Sequence, residues 1–70
     1  MASIYKHTVK SDFTIFGRLF LKDDVIYISD SIYTMNGLFD YRRDIFDDSR
    51  KMLGSVSDSH YYKSVKSHLN

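Results

Sequence analysis

Two apolar runs separated by a polar pair constrain this chain more than any other feature. Residues 13–22 and 25–29 are rich in β-branched and aromatic side chains, and Asp23-Asp24 lies between them. Such runs favour strands, and a short polar pair between them is typical of a β-hairpin. We therefore predict a hairpin over residues 13–29 with Asp23-Asp24 as its loop. A four-residue loop over 22–25 would keep the same pairing, whereas a three-residue loop would invert the faces of one strand.

This register divides the hairpin side chains between two faces, because successive side chains of a strand point to opposite sides. One face is apolar and is predicted to form the core, with Phe13, Ile15, Leu19, Leu21, Ile26 and Ile28. The other face is aromatic and basic, with Phe16, Arg18, Phe20, Lys22 and Tyr27. Rings and bases on one sheet face suit single-stranded nucleic acid, through base stacking and phosphate contacts. The alternative is a second core layer covered by a helix.

Weaker signals flank the hairpin. Residues 4–9 alternate between apolar and polar and predict a first strand. Gly17 interrupts the second strand, which indicates a bulge or a close backbone approach. Residues 30–36 carry mixed signals and are interpreted as a connector.

Residues 37–53 show apolar positions with the period of a helix. Leu38, Tyr41, Ile45 and Met52 fall on one arc of a helical wheel. Asn36 is placed as the N-cap, and Gly54 is placed just beyond the C-terminus. The pattern predicts an amphipathic helix that covers the apolar face of the sheet.

A second, shorter helix is predicted from Asp58, as its N-cap, to about Leu69. Tyr61, Val65 and Leu69 recur four residues apart, which gives this helix an apolar stripe. The predicted fold class is therefore α+β: a three-stranded antiparallel sheet followed by two helices (βββαα), in one domain covering residues 1–70.

Size and composition limit how such a domain can be stabilised. A chain of 70 residues buries only about 60% of its unfolded surface, and this chain has no cysteine for disulfides or thiolate zinc sites. Its three histidines are scattered, so we expect no metal site. A partner or a second copy of the chain is therefore expected to contribute to stability.

The sequence gives no indication of export or of a membrane segment. Residues 1–3 do not begin a signal-peptide core, and no apolar run approaches the roughly 18 residues of a membrane span. We predict a cytoplasmic protein, in the host cytoplasm if the chain is viral.

The sequence contains little that indicates an enzyme. Neither a Gly-x-Ser-x-Gly elbow nor a His-Glu-x-x-His pair is present. The pairs Asp23-Asp24 and Asp47-Asp48 could bind Mg²⁺ in principle. However, one pair is placed at a hairpin tip and the other on a helix, where neighbouring side chains diverge. We predict no catalytic residue and no cofactor.

Arg42 is the most informative polar residue, because on the predicted first helix it projects into the apolar arc. Its long side chain could simply extend from the core edge to solvent. Alternatively it belongs to a partner surface, since arginine and aromatic residues are enriched in interface hot spots. The predicted contact surface consists of Phe39, Asp40, Arg42, Arg43, Asp44, Phe46 and Asp47.

These observations rank three functions. The first is a small non-catalytic protein-binding module, of the kind that phages and mobile elements use as inhibitors that occupy a surface of a host macromolecule; this origin is an analogy of type. The second is a single-stranded nucleic-acid-binding module that uses the aromatic and basic face. The third is a homodimer formed through uncovered aromatics. Under the first hypothesis, reversing the charges of Arg42 and Arg43 abolishes partner capture and leaves thermal unfolding nearly unchanged.

One resemblance involves the C-terminal tail. The segments Ser57-Asp58-Ser59-His60-Tyr61-Tyr62 and Lys66-Ser67-His68-Leu69 are similar to the end of the small KTSC domain. The resemblance covers about a fifth of the chain, and the Lys-Thr-Ser-Cys signature of that family is absent. The biochemical role of the family is obscure, so the resemblance implies no activity.

Overall fold

A four-stranded antiparallel sheet organises the chain. The computed structural model describes residues 3–35 and 37–70, with residues 31–35 described as backbone only. The strands are β1 (Ile4–Thr8), β2 (Phe13–Ile15), β3 (Arg18–Phe20), β4 (Val25–Met35), β5 (Leu38–Phe46) and β6 (Met52–Ser57). The sheet has the order β1-β4-β5-β6, and β2 and β3 form a separate two-stranded hairpin. One short helical segment follows, so the predicted βββαα arrangement is wrong.

The predicted helix over residues 37–53 does not exist, because β5 and the first two residues of β6 occupy that stretch. Met35 pairs with Leu38 across the β4–β5 hairpin, and Gly37 has a φ of 78°. Two-residue hairpin loops require positive φ values, which glycine adopts without steric cost. The predicted N-cap Asn36 lies outside the described residues. Gly54, predicted to follow the helix, lies inside β6.

Charge and side-chain type explain why residues 38–46 are extended. In a helix Asp40 and Asp44 would be neighbours on one face and would repel each other. In a strand four residues span about 13 Å, which removes most of that repulsion. Phe39, Tyr41 and Ile45 then share one face of β5, as aromatic and β-branched residues in a strand commonly do.

The predicted hairpin over residues 13–29 is also wrong in its turn. The chain reverses at Phe16-Gly17, whose φ values are 54° and 71°, and Phe13 pairs with Phe20. Gly17 therefore lies in a turn rather than in a bulge. The Asp23-Asp24 pair belongs to a second turn, in which the Asp24 amide donates to the Leu21 carbonyl at 3.0 Å and the chain passes into β4.

This shift of the turn changes which side chains are buried. Phe13, Ile15, Ile26 and Ile28 are buried as predicted, whereas Leu19 and Leu21 are exposed. Phe20 is buried in their place, because its pairing with Phe13 puts both rings on one side of the hairpin.

The predicted first strand is present as β1. It pairs with β4, so that Ile4 lies opposite Ser29 and Thr8 opposite Val25. The predicted connector over 30–36 is wrong, because β4 continues through it to Met35.

The predicted C-terminal helix is confirmed, with a different cap. It comprises an α-helical turn (Asp58–His60), a π-helical turn (Tyr61–Val65) and a 3₁₀ turn (Lys66–His68). The Ser57 hydroxyl, rather than Asp58, caps it by accepting the His60 amide at 3.1 Å. Tyr61, Val65 and Leu69 are buried, as their spacing predicts.

The core lies on one face of the sheet, which we call the inner face. Ile26, Ile28, Ile45 and Val56 line it, and the β2–β3 hairpin and the C-terminal helix pack over it. Beyond the helix, Leu69 pairs with Val9, and the Asn70 amide donates to the Thr8 carbonyl at 2.9 Å. The opposite, outer face carries more polar side chains, and in the described part of the chain neither the β2–β3 hairpin nor the helix covers it.

Candidate protein-binding surface

The β4–β5 hairpin extends beyond the rest of the sheet. On one side β1 ends at the pairing of Ile4 with Ser29, and on the other β6 ends at the pairing of Ser57 with Arg42. Among the residues that the structure describes, 31–35 of β4 and 38–41 of β5, which we call the distal arm, pair only with each other. The molecule is accordingly elongated, with dimensions of 39 × 23 × 21 Å.

The β5 side of the distal arm exposes large apolar side chains. Leu38 is 73% exposed, Phe39 72% and Tyr41 59%. The core of the protein does not use these side chains, and water covers most of their surface. In the described part of the chain no strand flanks these two, so backbone donors and acceptors along their edges can pair with another chain.

Arg42 lies at the base of the distal arm on the outer face. Its Nε donates to the Ser55 hydroxyl at 3.2 Å and its Nη2 to the Ser55 carbonyl at 3.1 Å. Nη1 lies 3.6 Å from the Asp40 carboxylate. The guanidinium is therefore held across β5 and β6 and remains partly exposed, rather than entering an apolar arc of a helix.

Arg43 has a structural position on the inner face. Its Nε donates to Asp58 at 2.7 Å, Nη1 donates to Asp30, and Nη2 donates to the Tyr62 hydroxyl at 3.1 Å. The guanidinium carbon also lies 4.4 Å from the centre of the Tyr61 ring. We call these five residues the Arg43 cluster; it joins β4, β5 and the start of the C-terminal helix.

The Arg43 cluster shifts the pKa values of two of its members, Arg43 and Tyr61. Burial lowers the pKa of Arg43, but the hydrogen bond to Asp58 and the charges of Asp30 and Asp58 raise it, and the net shift is upward. Burial raises the pKa of the Tyr61 phenol, and the nearby Arg43 charge opposes part of that rise. The guanidinium stays charged, and the phenol stays neutral, over a wider pH range than usual.

Asp47 has a structural position as well, in the turn between β5 and β6. Its carboxylate accepts the amides of Ser49 and Lys51, both at 2.9 Å. The pKa of Asp47 is lowered, chiefly by the hydrogen bond from the Lys51 amide. Burial opposes this shift, whereas the hydrogen bond from the Ser49 amide and the charge of Arg18 add to it. The Arg18 guanidinium lies 3.5 Å from the carboxylate, and this pair links the β2–β3 hairpin to the turn.

The structure therefore divides the predicted contact surface. Asp40, Arg42, Asp44 and Phe46 lie on the outer face of β5, Phe39 and Arg43 lie on the inner face, and Asp47 lies in a turn. Only Phe39 and Asp40 belong to the distal arm. The sequence interpretation did not include Leu38 and Tyr41, although Asn36-Gly37 is a strong hairpin signal that could have identified the arm.

The residues of the predicted nucleic-acid surface are also dispersed. Phe20 is buried, and the Arg18 guanidinium lies 5.1 Å from the centre of its ring. The Phe16 ring rests on Gly54, and Tyr27 lies on β4 with the Arg50 guanidinium 4.9 Å from its ring centre. Lys22 lies in the turn before β4, where its amide donates to Asp12. These residues share no single aromatic and basic face.

The fold defines a small antiparallel β-sheet protein with a projecting hairpin and one C-terminal helical segment. No family model, no curated protein and no solved structure matches the chain. The likeness to the KTSC domain therefore rests on the tail residues alone. Within residues 3–35 and 37–70, no group of three or more histidine or acidic side chains is arranged to hold a metal ion. None of the helical segments described has the length and apolar content of a membrane-spanning helix.

Proposed function

We propose that this chain is a small non-catalytic module that binds another protein through the distal arm. The observation that supports the proposal is the combination of exposed Leu38, Phe39 and Tyr41 with two strands that have no flanking strand within residues 3–35 and 37–70. A contacting chain that adds a strand to the arm would satisfy its edge hydrogen bonds and cover these side chains.

The alternation of apolar and charged groups along β5 favours a specific partner. Asp40 lies between Phe39 and Tyr41, and Arg42 follows at the base of the arm. Large apolar groups supply the binding energy of an interface, whereas charges at its rim select the partner and set the register. As a setting we propose the cytoplasm, with a host macromolecule as the target of a phage-like inhibitor.

Site-specific photo-crosslinking tests this function. A benzophenone amino acid replaces Phe39 in one variant and Tyr5, an exposed aromatic on β1, in the control. After irradiation in cells of the source organism, we expect a discrete adduct with another protein from position 39 and none from position 5. An adduct of twice the chain's mass identifies a homodimer, and equal labelling from both positions or no adduct from position 39 contradicts the proposal.

A further inference from the structure

A cleft between β1 and the C-terminal helix has the chemistry of a ligand site. It has a volume of about 440 Å³ and is lined by His7, Lys10, Tyr61, Tyr62, Lys66, Ser67, Leu69 and Asn70. This volume lies within the range of small-molecule sites, about 300–1,000 Å³. None of the lining residues belongs to the distal arm, so the cleft is separate from the proposed protein-binding surface.

The pairing of the chain's two end regions positions the walls of the cleft. The Lys10 amide donates to the His68 carbonyl, and Val9 pairs with Leu69, so β1 and the segment after the helix lie side by side. Tyr61 and Leu69 are buried at the base of the cleft, whereas Tyr62 is about half exposed at its rim. The base is thus apolar and fixed by the core, and the rim presents a flat aromatic ring.

The ionisable side chains that line the cleft, apart from its tyrosine phenols, are basic. They are His7, Lys10 and Lys66, and no aspartate is among the lining residues. Within the described part of the chain, neither lysine has a carboxylate within ion-pair distance. Lys66 instead has its Nζ 4.8 Å from the centre of the Tyr62 ring. In a chain with a net charge of only +1, this concentration of unpaired positive charge is local.

We propose that this cleft binds a small aromatic phosphate monoester of the size of a mononucleotide. The two ammonium groups attract the phosphate as point charges, which is the ordinary role of lysine in phosphate binding. The aromatic ring of the ligand takes the place of the Lys66 ammonium over the Tyr62 ring, as bases stack on aromatic side chains in single-strand binding proteins. His7 provides a further donor at the β1 wall.

Titration of the intact protein followed by two-dimensional NMR tests this site, with AMP, phenyl phosphate, inorganic phosphate and adenosine as probes. We expect saturable shifts at Lys10, Tyr62 and Lys66 with AMP or phenyl phosphate, and at least tenfold weaker binding of inorganic phosphate and adenosine. Tighter binding of AMP than of phenyl phosphate indicates a nucleotide, and the reverse order a simpler aryl phosphate. Equal binding of inorganic phosphate, or no saturable shift with any probe, overturns the proposal.

Lysine variants provide the matched control. Lys10→Ser and Lys66→Ser are each expected to weaken AMP binding at least fivefold. Lys63→Ser, on the same helix but outside the cleft, is expected to leave it unchanged. A similar loss in all three variants would mean that the protein attracts anions only through its general charge, and would overturn the site. The spectra of the unliganded variants show whether each retains the native fold.

Discussion

The ring of Phe16 lies directly on the backbone of Gly54. A β-carbon at position 54 would be 2.7 Å from both Cε1 and Cζ of that ring, closer than van der Waals contact allows. Phe16 occupies the turn of the β2–β3 hairpin, and Gly54 lies on the edge strand β6. An aromatic ring over a glycine shields strand backbone that has no side chain of its own. The contact therefore fixes where the hairpin rests on the sheet.

Replacing Gly54 with alanine should destabilise the fold by displacing this ring. We expect Gly54→Ala to lower the free energy of unfolding by about 1 kcal/mol, at the lower end for overpacked sites, because the Phe16 ring is half exposed and can move. In a Phe16→Ala background the same substitution should cost nothing, since no ring opposes the new methyl group. Urea denaturation of the four proteins gives the coupling, and an equal cost in both backgrounds would contradict the contact.

Arg42 and Arg43 should respond differently to charge reversal. Arg43→Glu places a negative charge between Asp30 and Asp58 and breaks the Arg43 cluster, so we expect a loss of at least about 2 kcal/mol in unfolding free energy. Arg42→Glu, on the outer face, should cost about 1 kcal/mol or less. Thermal unfolding followed by circular dichroism distinguishes the two. For Arg43 this prediction differs from the expectation from sequence, which was that both reversals leave thermal unfolding nearly unchanged.

The turn at Asp47 should make the free energy of unfolding depend on pH in the acid range. The folded-state pKa of Asp47 is lowered, so the ionised carboxylate stabilises the fold above the ordinary value of 3.8, and this contribution is lost as pH falls through the folded-state pKa. Asp47→Asn keeps an oxygen that accepts the Ser49 and Lys51 amides but removes the charge. The difference in urea midpoint between wild type and Asp47→Asn should therefore be constant near neutral pH and shrink below about pH 4. A difference that does not change with acid would contradict this role.

The Tyr61 phenol should make the fold less stable as pH rises in the alkaline range, whereas Asp47 makes it less stable as pH falls in the acid range. Its raised pKa means that the folded state holds the phenol proton more firmly than the unfolded state, so stability is lost as pH rises above the ordinary value of 10.0. Tyr61→Phe has no proton to lose and should show a weaker decline. Denaturation midpoints measured between pH 9 and pH 11 test this, and parallel declines in the two proteins would count against it.

The distal arm should contribute little to stability. We expect Phe39→Ser to change the unfolding free energy by less than about 0.5 kcal/mol, as at other exposed positions. Ile45→Ala, on the same face of β5 but within the core, should cost about 2–5 kcal/mol. If Phe39→Ser proved as costly as Ile45→Ala, the arm would be part of the folding unit rather than a free surface.

Local sequence signals predicted some elements and failed at others for identifiable reasons. β1 and the C-terminal helix were predictable, because the sequence pattern of each lies within a short stretch and the turns beside them form between neighbouring residues. The β5 strand was misassigned because Arg43 interrupts the apolar alternation between Tyr41 and Ile45. Its position is stabilised by Asp58, fifteen residues further along the chain, and no local pattern shows that contact.

The turn of the first hairpin was also misassigned, because contacts between distant residues determine where it forms. Asp23-Asp24 looked like the loop because it is the most polar pair between two apolar runs. The chain turns instead at Phe16-Gly17, where a phenylalanine adopts a left-handed conformation. A bulky residue rarely takes that conformation unless tertiary contacts hold it there, and here the contact is with Gly54, distant in sequence. Of the candidate site, the aromatic residue Phe39 was predictable, whereas the arm that presents it depends on where β1 and β6 end.

The pairing of Val9 with Leu69 has a consequence for the order of folding. Val9 follows β1 and Leu69 follows the C-terminal helix, so the two paired residues are separated by most of the described chain. Closing so long a segment is entropically costly, and contacts between distant residues slow folding. Val9, Ile26 and Ile28, which belong to one core cluster, are therefore expected to become fully covered only late in folding, when this contact between distant residues forms.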